Sequence, residues 1–418
     1  FTVNEARDGL SLRGDAAIDF WTSGIATLPK EWIKRIPDDL VNVKIRNETV
    51  TPRARVSSGV DWLSLDMVFT SAGKVVAEDE LRACLEQGRR IVRLEDGTYA
   101  PVDPEQVSGI LQRMAELMVT SGGAGEKLPL SQVGRVNELL ELVEDRKVTT
   151  AAKTLFETLD DAGEIPDVPK PRTLKATLRP YQKAGFNWLA FIHGLGSGGV
   201  LADDMGLGKT LQTIALLCWV KAKSKKRQLH LVVAPTSVVP NWVREIEKFA
   251  PGLKAVAWQG ANRFDSRAEL DDADVMITSY ALLRRDEELL AELDLGYAIL
   301  DEAQHIKNPL SQTARAAKRL KAERRLALTG TPIENRLSEI WSIFDFVSPG
   351  LLGGLKSFEE TYARPIERGD QEAADRLRKI IRPFILRRVK EDVAADLPEK
   401  IEQEIIVPLA DEQAALYQ

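Results

Sequence analysis

From about residue 176 onward, short apolar runs alternate with helical segments, and this alternation constrains the fold more than any other feature of the chain. The runs occupy 199–202, 229–234, 255–258, 275–278, 297–300 and 326–329. Each is followed by an amphipathic or turn-initiated segment long enough for a crossover helix. Such a pattern predicts a parallel sheet with helices on both faces.

The preceding residues read differently. Up to about residue 102 the period is mostly two: Val41, Val43 and Ile45 alternate with polar neighbours, as do Leu63, Leu65, Met67 and Phe69. A run over 90–94 meets another over 99–102 across an Asp96-Gly97 hairpin signal. Residues 78–86 suit a helix. From 103 to 162 helical spacing takes over, with Val107, Ile110, Leu111, Met114, Leu117 and Met118 on one face. A proline-rich stretch over 163–175 reads as a linker. The expected organisation is an α+β accessory region over 1–165, an α/β lobe over 176–350 and a helical extension over 351–405. Residues 406–418 then begin a further segment.

At 418 residues the chain is too long for one ordinary core. Its longest apolar run, 214–220, is far short of the roughly 20 residues of a membrane span, so no membrane role is expected. Cys84 and Cys218 are isolated, as are the three histidines, which argues for a reducing compartment and against a zinc site. The net charge of −6 would repel a polyanion, but it is unevenly placed. Residues 1–170 hold 21 Lys+Arg against 29 Asp+Glu, leaving 36 against 34 for the remainder. Nucleic-acid binding would therefore depend on local patches.

Three segments carry chemistry. The run 199–202 enters Asp203-Asp204-Met205-Gly206-Leu207-Gly208-Lys209-Thr210 and then a helix. This is the layout of a phosphate-binding loop. Glycines admit backbone N–H groups to the phosphates, lysine reaches the β/γ oxygens, and the threonine hydroxyl ligates Mg²⁺. Asp203 stands where that motif's first glycine is usual. The run 297–300 ends in Asp301-Glu302, two acids at the sheet rim where α/β proteins bind ligands. Asp301 suits the metal, and Glu302 suits orienting and deprotonating a water. Third, Thr329-Gly330-Thr331 follows a further strand, where hydroxyls could sense the γ-phosphate. Each segment alone has a plain structural explanation: a helix start, a solvated acidic pair, a Gly-Pro turn. In this order on one sheet they reinforce one another.

These segments are joined by Arg-Pro-Tyr-Gln-Lys-Ala-Gly at 179–185, Ala-Pro-Thr-Ser-Val-Val-Pro-Asn-Trp at 234–242, Thr-Ser-Tyr at 278–280 and Asp-Glu-Ala-Gln-His-Ile-Lys-Asn at 301–308. Further on stand Leu-Thr-Gly-Thr-Pro-Ile-Glu-Asn at 328–335 and Phe-Ile-Leu-Arg-Arg-Val-Lys-Glu-Asp-Val at 384–393. With them, residues 176–418 resemble the first lobe of the SWI/SNF-type ATPases of helicase superfamily two. The resemblance implies a RecA-like P-loop fold, ATP and Mg²⁺ as ligands, and translocation along double-stranded DNA.

Carried onto matching positions, it assigns Gln182 to the adenine and residues Asp204, Met205, Gly206, Leu207, Gly208, Lys209 and Thr210 to the phosphates. Thr210 and Asp301 would hold the metal, and Lys209, Asp301 and Glu302 would carry catalysis. Pro235, Thr236, Ser237, Thr278, Ser279 and Tyr280 would grip the DNA backbone. Gln304, Thr329, Gly330 and Thr331 would couple the lobes, with Gln304 replacing the family's usual histidine. Arg387 and Arg388 are expected to pair with Glu391 and Asp392, and the basic run 221–227 is either a solvated loop or a phosphate contact. The acidic 1–165 region resembles the accessory region preceding the motor in many bacterial members, which suggests a nucleoid-associated cytoplasmic protein. Its Trp21, Trp32 and Trp62 are expected in the core. RNA polymerase or another DNA-bound protein is an expected partner beside the DNA, and an RNA polymerase-recycling ATPase is the alternative enzymatic reading. A nucleotide-gated scaffold without catalysis is the non-enzymatic alternative. The family's motor also needs a second lobe with an arginine finger, so residues 1–418 alone are expected to hydrolyse ATP poorly.

Overall fold

The computed structural model describes residues 2–4, 9–11, 20, 27–29, 45–59, 62–122, 125–159, 165–330 and 336–393. Val41, Val43, Trp21, Trp32 and Thr331 lie outside the described residues.

In the N-terminal region, β1 (Thr2–Asn4) and β2 (Gly9–Ser11) form an antiparallel pair. A larger sheet follows from β3 (Thr51–Ser58), β4 (Trp62–Ser71) and β5 (Lys74–Val76). Alternation on β4 works as expected: Leu63, Leu65, Met67 and Phe69 are all at most 1% exposed. Trp62 at its start is half-buried, with the Lys127 ammonium over its ring. Helix α1 (Glu78–Glu86) is followed by the hairpin β6 (Ile91–Arg93) and β7 (Tyr99–Pro101). The turn between them places Gly97 at φ 79°, a left-handed conformation that favours glycine.

Helix α2 (Pro104–Leu117) starts at Asp103, whose carboxylate accepts from the Glu105 and Gln106 amides. Its apolar face buries Val107, Ile110, Leu111, Met114 and Leu117. Met118 departs from the expected stripe. It is the left-handed residue that ends the helix, and its side chain is 86% exposed.

The 103–162 zone is also less purely helical than expected. Two strands, β8 (Glu126–Pro129) and β9 (Asp145–Val148), flank α3 (Val133–Glu141) and complete the sheet in the order β5-β4-β3-β9, with β8 on β4. Helix α4 (Thr150–Leu159) closes this region.

The C-terminal lobe is the expected parallel sheet with one strand more than expected. Its strands are β10 (Gly199–Leu201), β11 (Leu229–Ala234), β12 (Ala255–Ala257), β13 (Val275–Ser279), β14 (Asp294–Asp301), β15 (Lys321–Leu328) and β16 (Ile385–Leu386). All seven run parallel in the order β12-β13-β11-β14-β15-β10-β16. Strand β16 comes from the segment expected to be helical, so the lobe's sheet extends past residue 350. The principal helices are α5 (Pro180–Gly194), α6 (Lys209–Lys223), α7 (Val239–Phe249), α8 (Tyr280–Arg285), α9 (Gln312–Arg319), α10 (Leu337–Val347) and α11 (Gln371–Ile381).

The accessory region is docked on this lobe through α3 and α11. Glu138, 5% exposed, accepts from Arg113 at 3.1 Å and from Arg376 at 2.6 Å, and Lys379 pairs with Glu141 at 2.9 Å. At Gly134 a Cβ would lie 3.0 Å from the Ile380 carbonyl oxygen, so the helices meet backbone to backbone there.

Two histidines make the lobe acid-sensitive. Burial pushes both down to about 4, against an ordinary value of 6.5. The charges of Arg324 and Lys223 add to the effect at His193, and Asp274 opposes it at His230. An unfolded chain therefore binds more protons than the folded one between these values, and stability falls as pH falls. The denaturant midpoint is expected to hold above about pH 7 and to drop from 6.5 toward 4. His230→Gln should flatten that drop; a slope identical to wild type would exclude His230 as its source.

Candidate nucleotide site

Two parallel strands deliver the key residues to one rim. Leu201, the last residue of β10, and Asp301, the last of β14, are both in register with Leu328 on the strand between them. The loop bearing Lys209 and the acids at 301–302 therefore start from the same level, about 10 Å or two strand spacings apart. A triphosphate with its metal spans such a gap. The side chains also feel one another. Burial pushes the Lys209 ammonium down, and the carboxylates of Glu302, Asp301, Asp203 and Asp204 oppose that shift.

The phosphate loop is closed on itself. Lys209, 9% exposed, donates to the carbonyl of Asp203 at 2.7 Å and to that of Asp204 at 3.4 Å. Those carbonyls occupy the donors that phosphate oxygens would take. Gly206 at φ 88° and Gly208 at φ 78° adopt backbone that side chains resist, and a Cβ on Gly208 would lie 2.5 Å from Gln182 Nε2. Gln182, 8% exposed, accepts from the Arg179 amide at 3.0 Å and donates to the Leu207 carbonyl at 3.3 Å. It thus braces the loop from α5. Met205 is 67% exposed at the loop's tip, and Thr210 is half-buried in the first turn of α6.

Asp301 is 7% exposed, and burial pushes its carboxyl up. Two donors oppose this: Trp242 Nε1 at 2.8 Å to Oδ2, and the Glu302 amide at 3.0 Å to Oδ1. Glu302 is one of three non-glycine residues with positive φ among those described, at φ 51° and ψ 58°. That conformation costs about 1–3 kcal/mol and turns the chain sharply after the strand. From Glu302 a bonded chain crosses the rim. Gln304 Nε2 donates to Glu302 Oε2 at 2.9 Å, and Thr329 Oγ1 donates to Gln304 Oε1 at 3.1 Å. The Thr329 amide in turn reaches the Leu201 carbonyl at 3.1 Å. Gly330 faces Met205, whose Cγ would be 3.1 Å from a Cβ there.

The donor set fits magnesium. Thr210 would supply a hydroxyl and Asp301 a carboxylate, the hard oxygen ligands that magnesium takes together with phosphate oxygens and water.

Several expectations need correcting. Thr278 is fully buried and donates to the Trp258 carbonyl at 3.0 Å. Ser279 caps α8 by accepting from the Leu282 amide. Tyr280, 6% exposed, donates to the Asp301 carbonyl at 2.8 Å and stacks on His305 at 4.5 Å. With their polar groups committed inward, these three shape the acidic rim and present no open grip on a phosphate.

Pro235, Thr236 and Ser237 differ. Pro235 is half-buried, Thr236 and Ser237 are exposed before α7, and no side chain caps that helix. Arg388 pairs with Asp203, and not with Glu391 or Asp392. The basic run 221–227 lies at the opposite rim. Lys221 pairs there with Asp274 at 2.7 Å and Arg227 with Asp272 at 3.1 Å, beside an open groove of about 600 Å³. Trp242 and Asp203 stand in motifs noted in the sequence, but their partners, 59 and 185 residues away, left no local sign.

Fold and site together define a nucleotide-binding lobe of the P-loop class, with lysine and paired acids on one sheet rim. Residues 181–418 match the family model described as SNF2-related domain, and the chain belongs to that family. It is 37% identical over 419 residues to YwqA of Bacillus subtilis (strain 168), named as a candidate ATP-dependent helicase/translocase, covering 94% of this chain and 44% of that protein. It is 40% identical over 302 residues to the TATA-binding protein-associated factor MOT1 of Saccharomyces cerevisiae, covering 66% of this chain and 16% of MOT1. The chain thus spans less than half the length of either relative. Among solved structures it resembles the Sulfolobus solfataricus SWI2/SNF2 ATPase core in complex with dsDNA. That match has TM-score 0.52 and 47% identity, and covers 60% of this chain and 53% of that one.

Proposed function

We propose that this chain is the ATP-hydrolysing first lobe of a translocase on double-stranded DNA that remodels protein–DNA complexes. The observation that supports the reading most is the shared level of Leu201 and Asp301 on one rim, which suits Lys209, Asp301 and Glu302 to a single triphosphate. Lys209 exchanges its loop carbonyls for phosphate oxygens. Glu302 accepts a proton from water as the water oxygen attacks the γ-phosphorus and the bond to ADP breaks. Thr210 and Asp301 would hold magnesium, which supplies charge neutralisation on the phosphate oxygens. The Glu302–Gln304–Thr329 bonds give the hydrolysis state a route to Gly330 and Thr331, and thence to a neighbouring lobe.

The DNA side rests on Pro235, Thr236 and Ser237. The exposed hydroxyls of Thr236 and Ser237 just before α7 suit a phosphate oxygen. Contacts of this kind fix position without reading bases, as a motor that accepts any sequence requires. The Sulfolobus core in complex with dsDNA supports this ligand class. RNA polymerase or another DNA-bound protein is the object displaced, in a cytoplasmic, nucleoid-associated setting.

Triplex-strand displacement on blunt duplex DNA tests the reading with the protein in its complete form. ATP-dependent displacement without strand separation is expected. Strand separation, or displacement that ignores ATP, overturns it.

A further inference from the structure

The strand β16 enters the nucleotide site from 175 residues beyond the phosphate loop, and it arrives with a charge. Its backbone lies beside β10: the Ala202 amide donates to the Leu386 carbonyl at 2.7 Å and the Asp204 amide to that of Arg388 at 3.0 Å. The Lys390 amide donates to Asp204 Oδ2 at 3.1 Å. Three successive contacts thus bind this segment along the entry to the phosphate loop.

Arg388 then reaches inward. Its Nε donates to Asp203 Oδ1 at 2.9 Å, and its Nη2 donates to Asp203 Oδ2 and, at 2.8 Å, to Gln212 Oε1. Nη1 donates to the Tyr181 carbonyl, and Gln212 Nε2 donates to Asp203 Oδ2 at 3.2 Å. The arginine side chain is 13% exposed and the aspartate fully buried. Gly185 leaves the space: a Cβ there would lie 1.8 Å from Gln212 Oε1 and 2.6 Å from Arg388 Nη2. Such a pair costs heavily if one member is removed, because the other is left buried and unpaired. Asp203 also carries the carbonyl that Lys209 holds at 2.7 Å. The ion pair therefore acts on the backbone of the very residue that the nucleotide must release.

We infer that Arg388 is a positioning residue for the phosphate loop, and that docking of β16 and nucleotide binding are thermodynamically coupled through Asp203. The inference rests on the nucleotide reading above. Coupling is reciprocal: if the docked strand sets the loop for phosphate, phosphate must hold the strand by the same factor. The segment carrying Arg388 leaves α11, the helix on which the accessory region is docked. The loop is thus tied to the segment that follows α11.

The test uses the 418-residue chain, a fluorescent ATP analogue with Mg²⁺, and hydrogen exchange of the peptide 384–390. Arg388→Gln and Asp203→Asn are each expected to weaken analogue binding at least about tenfold, and the double variant to recover most of that loss. Arg388→Lys keeps the charge without the forked geometry. It is expected to fold cooperatively, with a melting midpoint below wild type, and to bind several-fold more weakly at a temperature where it is fully folded, which covers the case where the other variants do not fold. In wild type the analogue should slow exchange over 384–390, and in Arg388→Lys it should slow it less. Wild-type binding with Arg388→Lys at equal affinity, or exchange over 384–390 indifferent to analogue, overturns the inference alone. Failure of wild type to bind the analogue overturns the nucleotide reading itself.

Discussion

In the protein in its complete form, replacing Glu302 by glutamine is expected to lower ATP turnover by about 10²–10⁴-fold while nucleotide affinity stays close to wild type. Glutamine preserves the shape of the side chain and, through its carbonyl oxygen, the contact that Gln304 makes at 2.9 Å. What it loses is the capacity to accept a proton from water. The left-handed backbone at φ 51° fixes where that carboxylate stands, so no neighbouring acid substitutes for it. Asp301 already accepts from Trp242 and from the Glu302 amide, one donor on each carboxylate oxygen. Steady-state hydrolysis paired with analogue binding separates the two effects. Equal turnover by the two proteins removes Glu302 from the chemistry, whereas lost binding marks a structural role.

The second large effect belongs to a residue that no motif assigns. Trp242 is fully buried, and its indole N–H bonds the Asp301 carboxylate at 2.8 Å. Trp242→Ala is expected to cost about 3–5 kcal/mol of stability through the cavity it opens. Trp242→Phe isolates the hydrogen bond, because most of the packing survives while a buried carboxylate loses a donor, at about 1–3 kcal/mol. The sign of the accompanying pH effect follows. Burial already pushes the Asp301 carboxyl up and Trp242 holds it down, so removing the donor moves it further up. The acid limb of the pH–rate profile should then shift to higher pH. Denaturant midpoints and that limb check the two claims. A Trp242→Phe protein with the wild-type midpoint and limb would show that the indole bond does nothing for Asp301.

Residues with local partners were legible, and residues with distant ones were not. The spacing of Val107, Ile110, Leu111, Met114 and Leu117 announced α2, and Asp96-Gly97 announced the β6–β7 hairpin. Strands β8 and β9 stayed hidden because Glu-Lys-Leu-Pro and Asp-Arg-Lys-Val lack alternation. Both are mostly exposed edge strands, recruited by pairing with a neighbour and not by their own apolar face. Met118 shared the helical spacing of its neighbours but fell one residue past the helix, where the chain turns left-handed. Arg388 had two acids within four residues, yet a buried aspartate at 203 offered a stronger partner than solvated ones. Thr278, Ser279 and Tyr280 looked like an open strand exit, and their burial emerges only when β13 lies next to β11 inside the sheet.

By itself the sequence determined the alternation that makes a parallel sheet, the loop that can hold phosphate, and the acids that end a buried strand. These are properties of short segments, fixed by steric preference and apolar spacing within a few residues. Tertiary structure alone decided that β10 and β14 end level on either side of β15, that Trp242 and Tyr280 hold Asp301 from behind, and that Arg388 anchors the phosphate loop. Those contacts join residues 21 to 185 positions apart, and no local pattern encodes a partner that only the folded sheet brings within hydrogen-bonding distance.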